Sequence, residues 1–248
     1  MERKGLPAQQ GRTGAGLSWS FVVVVAAFIA CLITANIISV KLITVLRWTV
    51  PAGVIIFPIA YIVGDVLTEV YGYASARRVI WLGFACNALV VAAVAIAGEL
   101  PAPDFWDGQA AYDRILGYTW RLLAASFAAY LVGEFANAIV LARLKVMTGG
   151  RFLWLRTISS TVIGQGLDSL VFITIAFAGT AGMDLDGLRR TIVTQWLIKT
   201  AYEVIATPLT YLVVSTLKRI EGQDAYDYDA DFNPFALTQP ARSATESR

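Results

Sequence analysis

The chain of 248 residues contains no histidine, and only 15% of its residues are charged. An ordinary soluble domain carries about 25% charged residues. Lacking histidine, the chain lacks the commonest metal ligand and the commonest general base near neutral pH. No metal and no cofactor is expected, and a proton relay here has only carboxylates to use. The two cysteines, Cys31 and Cys86, lie in apolar runs without a CxxC partner, which suits small buried side chains rather than a redox pair. No GxxxxGK[ST] phosphate loop is present, so the chain has no ATP-hydrolysing motif of that kind. The net charge is +2 without a concentrated basic patch, which argues against a nucleic-acid partner.

What the chain has in excess is apolar sequence. Hydrophobic residues make up 57% of it, and they cluster in runs of about 20, the length that crosses a bilayer core as a helix. This predicts an all-α integral membrane protein of six spans. They cover about Trp19–Val45, Val50–Tyr71, Arg78–Gly98, Thr119–Leu141, Leu153–Phe177 and Arg190–Leu217. The first apolar run is too long for the core of a signal peptide. Between spans three and four, Gln109–Leu116 suits a short interfacial helix. The expected organisation is a cytoplasmic segment 1–17, a membrane domain 18–217 and a polar cytoplasmic tail 218–248. The acidic tail residues Asp224, Asp227, Asp229 and Asp231 lack the mid-loop glycine and closing Glu of an EF-hand loop, so a solvated tail is expected.

Orientation follows from Lys and Arg in the connecting segments. On one side stand Arg3, Lys4, Arg12, Arg77, Arg78, Arg143, Lys145, Arg151, Arg156, Lys218, Arg219, Arg242 and Arg248. The other side holds Lys41, Arg47, Arg114, Arg121, Arg189 and Arg190. Thirteen against six places both termini inside, which requires an even number of crossings.

Ionisable side chains within spans are costly, at about 2.5–3.5 kcal/mol each on an insertion scale, and they mark pathways or interior pairs. Asp65 and Glu69 are four residues apart and share one helix face. Glu134 with Asn137, and Gln165 with Asp168, are three apart; Gln195, Lys199 and Glu203 form an i, i+4, i+8 stripe. Asn36 and Asn87 add amides. Four polar stripes on four helices can line a substrate cavity. Lys199 and Glu203 are equally suited to neutralise each other, and Glu69 to join Arg77 and Arg78 in a charge cluster at the inner end of its span. Gly133, Gly164 and Gly166 permit close helix approach, and Pro58 and Pro208 are candidate kinks.

The segment Phe57-Pro58-Ile59-Ala60-Tyr61-Ile62-Val63-Gly64-Asp65-Val66-Leu67-Thr68-Glu69-Val70-Tyr71-Gly72-Tyr73, with Ala76-Arg77-Arg78 after it, resembles the signature of the vitamin-uptake-type family of queuosine-precursor transporters. Ser126 to Gly133, Ser160 to Asp168, Tyr226-Asp227 and Phe232-Asn233-Pro234-Phe235 resemble further parts of that family in the same order. The chain departs from the pattern at Glu134-Phe135-Ala136-Asn137. The resemblance implies a transporter, not an enzyme, in the bacterial inner membrane. It implies import of 7-cyano- or 7-aminomethyl-7-deazaguanine, and a six-helix fold like the substrate-binding subunits of energy-coupling-factor transporters. Expected partners are the small molecule and the bilayer, with a homodimer left open.

A 7-deazaguanine offers two adjacent N–H donors and a carbonyl. A carboxylate accepts from both donors at once, a role open to Asp168 or Glu134. Gln165, Asn137 or Asn36 can donate to the carbonyl, and Tyr61, Phe57 or Trp196 can stack on the ring. Asp65 completes the expected substrate set, while Glu69, Arg77, Arg78, Lys199 and Glu203 form the expected gating or structural charge set. Two other readings compete. One is a binding subunit that borrows a separate ATP-driven module. The other is an intramembrane aspartyl protease built on Asp65 and Asp168; against it, Asp65 is not directly preceded by Tyr, and Gly166 is one residue out of place.

Overall fold

A computed structural model describes residues 18–45, 48–117, 120–179, 184–228 and 230–236. The expected N-terminal segment with Arg3, Lys4 and Arg12 lies outside the described residues, as do Arg47, Asp229, Arg242 and Arg248. The elements are α1 (Trp19–Ile38), β1 (Leu42–Val45), β2 (Trp48–Pro51), a 3₁₀ turn (Ala52–Ile55), α2 (Phe57–Tyr71), α3 (Tyr73–Glu99), α4 (Gln109–Leu116), α5 (Trp120–Met147), α6 (Leu153–Phe177) and α7 (Leu185–Glu221). Among the described residues, five helical stretches are long and apolar enough to cross a membrane: those containing α1, α3, α5, α6 and α7.

The short helix α4 and α6 span the residues that the sequence gives them. The first two spans differ. α1 stops at Ile38, where the Ser39 hydroxyl donates to the Ala35 carbonyl at 2.6 Å. The β-branched run Ile43-Thr44-Val45 and its partner Thr49-Val50 then pair antiparallel, with Ile43 opposite Val50 and Thr44 opposite Thr49. Such residues favour a pleated ribbon over a helix, and hydropathy alone does not separate the two. The second helix consequently begins at Phe57, not Val50, and has 15 residues. At 1.5 Å per residue it is about 22 Å long, short of the roughly 30 Å hydrocarbon core. Pro58 lies in its first turn, where proline is well tolerated, so it is a helix start and not a kink. Pro208 does lie inside α7.

One end of the bundle gathers many helix ends. The Ser18 hydroxyl, which caps α1 by accepting from Phe21 N–H, donates to Glu221 at the end of α7 at 2.8 Å. Tyr71, the last residue of α2, donates to the same carboxylate at 3.3 Å. Between these helices lies an apolar core of Val24, Phe28, Ile62, Val66, Leu67, Val70 and Val214. At the opposite end, Arg121 of α5 donates to the carbonyls of Ile175 and Ala178, satisfying acceptors that the end of α6 leaves open.

The closest helix contact is between α5 and α6. A methyl group on Gly133 would sit 2.8 Å from Asp168 Cβ and 3.2 Å from the Gly164 carbonyl oxygen. One on Gly164 would meet Asn137 Cβ at 2.8 Å and the Gly133 oxygen at 2.9 Å. The absence of side chains at both positions lets the backbones nearly touch. That contact sets Glu134 and Asp168 beside the same interior space.

The described part of the tail docks on the helices, where a free solvated segment was expected. Residues 224–228 and 230–235 form a strap across the end where α2 meets α3. Tyr73, Arg77 and Trp81 stand at i, i+4 and i+8 on α3, and each donates to strap carbonyls. Tyr73 Oη reaches Phe232 at 3.1 Å, Arg77 reaches Asp231 and Asn233 at 2.8 Å each, and Trp81 Nε1 reaches Pro234 at 2.8 Å. Asp227 accepts from the Tyr73 N–H through both oxygens, at 3.0 and 3.1 Å. It thus caps α3, whose own N-cap, Gly72, has no side chain to do so. Gly72 has φ +82, the left-handed backbone that glycine adopts without strain.

Candidate functional site

A cavity of about 720 Å³ opens among α1, α2, α3, α5, α6 and α7. Its volume lies within the range typical of small-molecule sites, roughly 300–1,000 Å³. Most of its wall is apolar, from residues such as Leu32, Val91, Phe127, Tyr130 and Phe172. Into that wall are set polar groups that include Asn36, Tyr61, Asn87, Glu134, Gln165, Asp168, Gln195 and Lys199, with Arg114 of α4 and the hydroxyls of Ser39 and Ser126 also lining it. An apolar site with few convergent polar groups is the general form of a small-molecule pocket.

The polar groups are braced in pairs. Tyr61 of α2 donates to Gln165 Oε1 of α6 at 2.9 Å. This bond directs the Gln165 amide so that its NH₂ group remains available as a donor. Asn36 of α1 donates to Asn87 of α3 at 3.1 Å. Lys199 of α7 is paired with Asp168 of α6, both side chains being partly exposed to the cavity at 17% and 20%. The pairing crosses between helices, so the expected neutralisation of Lys199 by Glu203 within α7 does not form.

Five of the expected substrate residues therefore line one cavity: Asp168, Gln165, Glu134, Asn36 and Tyr61. Asp65 and Asn137 do not line it; Asp65 is 1% exposed and accepts from Asn137 Nδ2 at 2.9 Å. Each is turned to the other's helix, which periodicity alone does not distinguish from a face turned to a cavity. Trp196 is engaged elsewhere, donating to the Val162 carbonyl at 2.9 Å. The Phe57 side chain lies outside the described residues. Gln195, the first residue of the α7 stripe, joins the lining, as does Asn87, which sequence had marked only as an amide within a span.

The expected charge set divides in two. Glu69, fully buried, accepts two bonds from Arg156, at 2.7 and 2.8 Å, and one from Lys218 at 2.6 Å. Lys145 stands 3.5 Å from the same carboxylate and donates to the Glu69 backbone carbonyl. Glu69 thus gathers cations from α5, α6 and α7, not Arg77 and Arg78 as expected. Arg77 is turned to the strap and Arg78 is exposed. Lys145 and Lys218 also hold Asp224 of the strap. Glu203, the last of the set, is fully buried in α7, and neither carboxylate oxygen has a hydrogen-bond partner among the described residues.

The family model described as "Putative vitamin uptake transporter" matches residues 51–213, the stretch that contains Tyr61, Asp65, Glu69, Glu134, Gln165, Asp168, Lys199 and Glu203. The chain belongs to the vitamin uptake transporter family. This is a family of transporters, not of enzymes, so the paired aspartates are not those of a protease. The transporter is 29% identical over 183 residues to the "Probable queuosine precursor transporter" of Bacillus subtilis, covering 72% of this chain and 78% of that one. It is 30% identical over 129 residues to the protein of the same name in Haemophilus influenzae, covering 52% of each chain. With the "Queuosine precursor transporter" of Escherichia coli it shares 29% identity over 128 residues, 50% of this chain and 54% of that one. No solved structure matches the transporter.

Proposed function

We propose that this transporter imports a queuosine precursor, 7-cyano- or 7-aminomethyl-7-deazaguanine, across the bacterial inner membrane, and that it crosses that membrane six times with both termini in the cytoplasm. Six crossings are supported by the helix ends that gather around Glu69 and Glu221: the starts of α1, α3 and α6, and the ends of α2, α5 and α7. In this reading α2 is a short sixth span, extended on its outer side by the 3₁₀ turn and the β-ribbon. The Lys/Arg count places the gathered end inside.

The observation that carries the substrate reading is the convergence of Asp168, Glu134, Gln165, Tyr61 and Asn36 on one cavity. A flat heteroaromatic ring fits the apolar walls and stacks on Tyr61. Its neighbouring N–H donors face Asp168, and Gln165 NH₂ donates to its carbonyl. Lys199 balances the Asp168 charge in the absence of substrate, because a carboxylate within the bundle is costly unless paired. The names of the relatives supply the substrate class, and the donor and acceptor pattern of the ring suits these side chains.

The test is uptake by cells that cannot make the precursor, read as queuosine in tRNA at low external 7-cyano-7-deazaguanine. Wild-type protein restores queuosine. Asp168→Asn, with its insertion in the membrane verified, loses at least about tenfold in uptake at limiting substrate, the equivalent of one charge-assisted bond of about 1.5–3 kcal/mol. Undiminished uptake by that variant overturns the assignment of Asp168.

A further inference from the structure

We propose that Asp65 and Glu203 form a proton-carrying site, separate from the substrate cavity, through which a transmembrane proton gradient drives transport. The inference rests on the reading of the chain as an importer.

The site is built from α2, α5 and α7. Asp65 is 1% exposed, Glu203 fully buried and Asn137 8% exposed. Among the described residues, Asp65 Oδ2, both oxygens of Glu203 and Asn137 Oδ1 have no hydrogen-bond partner. The one bond within the group is Asn137 Nδ2 to Asp65 Oδ1. Buried polar atoms are almost always satisfied, and four unsatisfied oxygens on three neighbouring helices mark a place built for something that comes and goes. All four are acceptors, so the missing species is a donor or a cation.

Among the described residues, the surrounding charges offer no resident cation to fill that need. The charges that act most strongly on Asp65 are the carboxylates of Glu203, Glu134 and Glu69. From α6, Arg156 is bound to Glu69 and Asp168 to Lys199. On α7 itself, Lys199 lies one turn from Glu203 but is turned to Asp168, and Lys218 is held by Glu69 and Asp224. Lys145 of α5 joins the same cluster. α1 contributes no charged residue; Arg77 and Arg78 of α3 face the strap and solvent, and Glu99 ends that helix. Two buried carboxylates without a cation do not both stay ionised. A proton on one of them supplies the missing O–H donor and removes a charge.

The step is a simple exchange. A carboxylate oxygen of the pair takes a proton from external water as the O–H bond forms, and releases it to internal water as that bond breaks. One positive charge enters with each substrate molecule. Neither oxidant nor further reactant is needed. Glu134 lines the cavity and also acts on Asp65, which links occupancy of the substrate site to the protonation of the pair.

Two measurements test this on the purified full-length protein. In proteoliposomes, external acid drives accumulation of radiolabelled 7-cyano-7-deazaguanine and a protonophore abolishes it. Glu203→Gln removes accumulation above equilibrium while retaining counterflow exchange of the same compound. Accumulation driven by a sodium gradient without a proton gradient overturns the proposal, as does loss of counterflow in a monodisperse E203Q protein, which would place Glu203 in the substrate path. The second measurement needs no substrate. The infrared spectrum of the wild type at neutral pH shows a protonated-carboxyl C=O band that is diminished in E203Q and in Asp65→Asn. No such band in the wild type overturns the proposal. If the band is present and sensitive to both substitutions but 7-cyano-7-deazaguanine is not moved, the proton site stands and the substrate reading fails.

Discussion

Asp65 and Glu69 stand one helical turn apart on α2, both fully buried, and their surroundings are opposite. Glu69 accepts from Arg156 and Lys218 and lies beside Lys145, so its charge is over-matched by cations from three helices. Asp65 has one amide donor, and the charges around it are negative. The difference follows from depth. Near the gathered helix ends, long basic side chains reach inward while their stems pack on apolar surface. A turn deeper, each cation would itself have to be desolvated. A saturated carboxylate fixes the bundle; an unsaturated one is left able to change state.

The largest effect that separates the two comes from Glu69→Gln. The substitution leaves Arg156 buried without its counter-charge and Lys145 with Asp224 alone, and removing one partner of a buried ion pair typically costs about 3–5 kcal/mol. A large fall in the thermal unfolding midpoint in detergent is expected. A fall no larger than that of a surface substitution would mean that Glu69 is not the charge anchoring this end, and the contrast with Asp65 would lapse.

Periodicity placed Asp65 and Glu69 on one face but was silent on their partners, because Arg156 and Lys218 lie 87 and 149 residues further along the chain. The cavity was legible for a related reason: Asp168, Gln165 and Glu134 are costly within a bilayer wherever they sit, so their presence signals a use before any partner is known. Asn87 carried a weaker signal, since an amide within a span also serves helix packing. The strap was the least legible part. Tyr73, Arg77 and Trp81 bind its backbone carbonyls, and every residue has a carbonyl. Arg77, read by sequence proximity, was therefore assigned to Glu69. The β-ribbon after α1 was hidden because Leu42–Val45 is as apolar as the helix before it.

The strap offers a finer probe of the saturated region. Asp227→Ala leaves the start of α3 without its cap, a change worth about 1 kcal/mol. Faster proteolytic cleavage within residues 224–236 is expected, with the membrane helices intact. Unchanged cleavage would show that the Tyr73, Arg77 and Trp81 bonds hold the strap alone. Smaller still is the expected effect of Glu203→Gln on stability. An amide of the same shape replaces a carboxyl that has no partner to lose, so the unfolding midpoint should move by an amount corresponding to under about 0.5 kcal/mol. A loss approaching that of E69Q would reveal an ionised, paired Glu203 and erase the comparison between the two levels of the membrane.

The smallest effect is a pH dependence of the strap, where two aspartates act in opposite senses. Burial opposes ionisation of Asp224, but its bonds to Lys145 and Lys218 outweigh burial and hold its carboxyl below the ordinary value of 3.8. Its contribution to docking is therefore complete above that value and is lost as pH falls through the lower docked value. Burial pushes Asp227 above 3.8, and the Tyr73 N–H offsets this only in part. Its contribution is greatest below 3.8 and declines as pH rises through the raised docked value. The mobility of a spin label at Ala230→Cys, in protein lacking Cys31 and Cys86, reads the balance. Asp224→Asn should abolish the release of the strap at the acid end, and Asp227→Asn should abolish the opposite drift at higher pH. If D224N leaves the acid release intact, the cations around Glu69 do not reach the strap through Asp224, and the saturated cluster ends at the helices themselves.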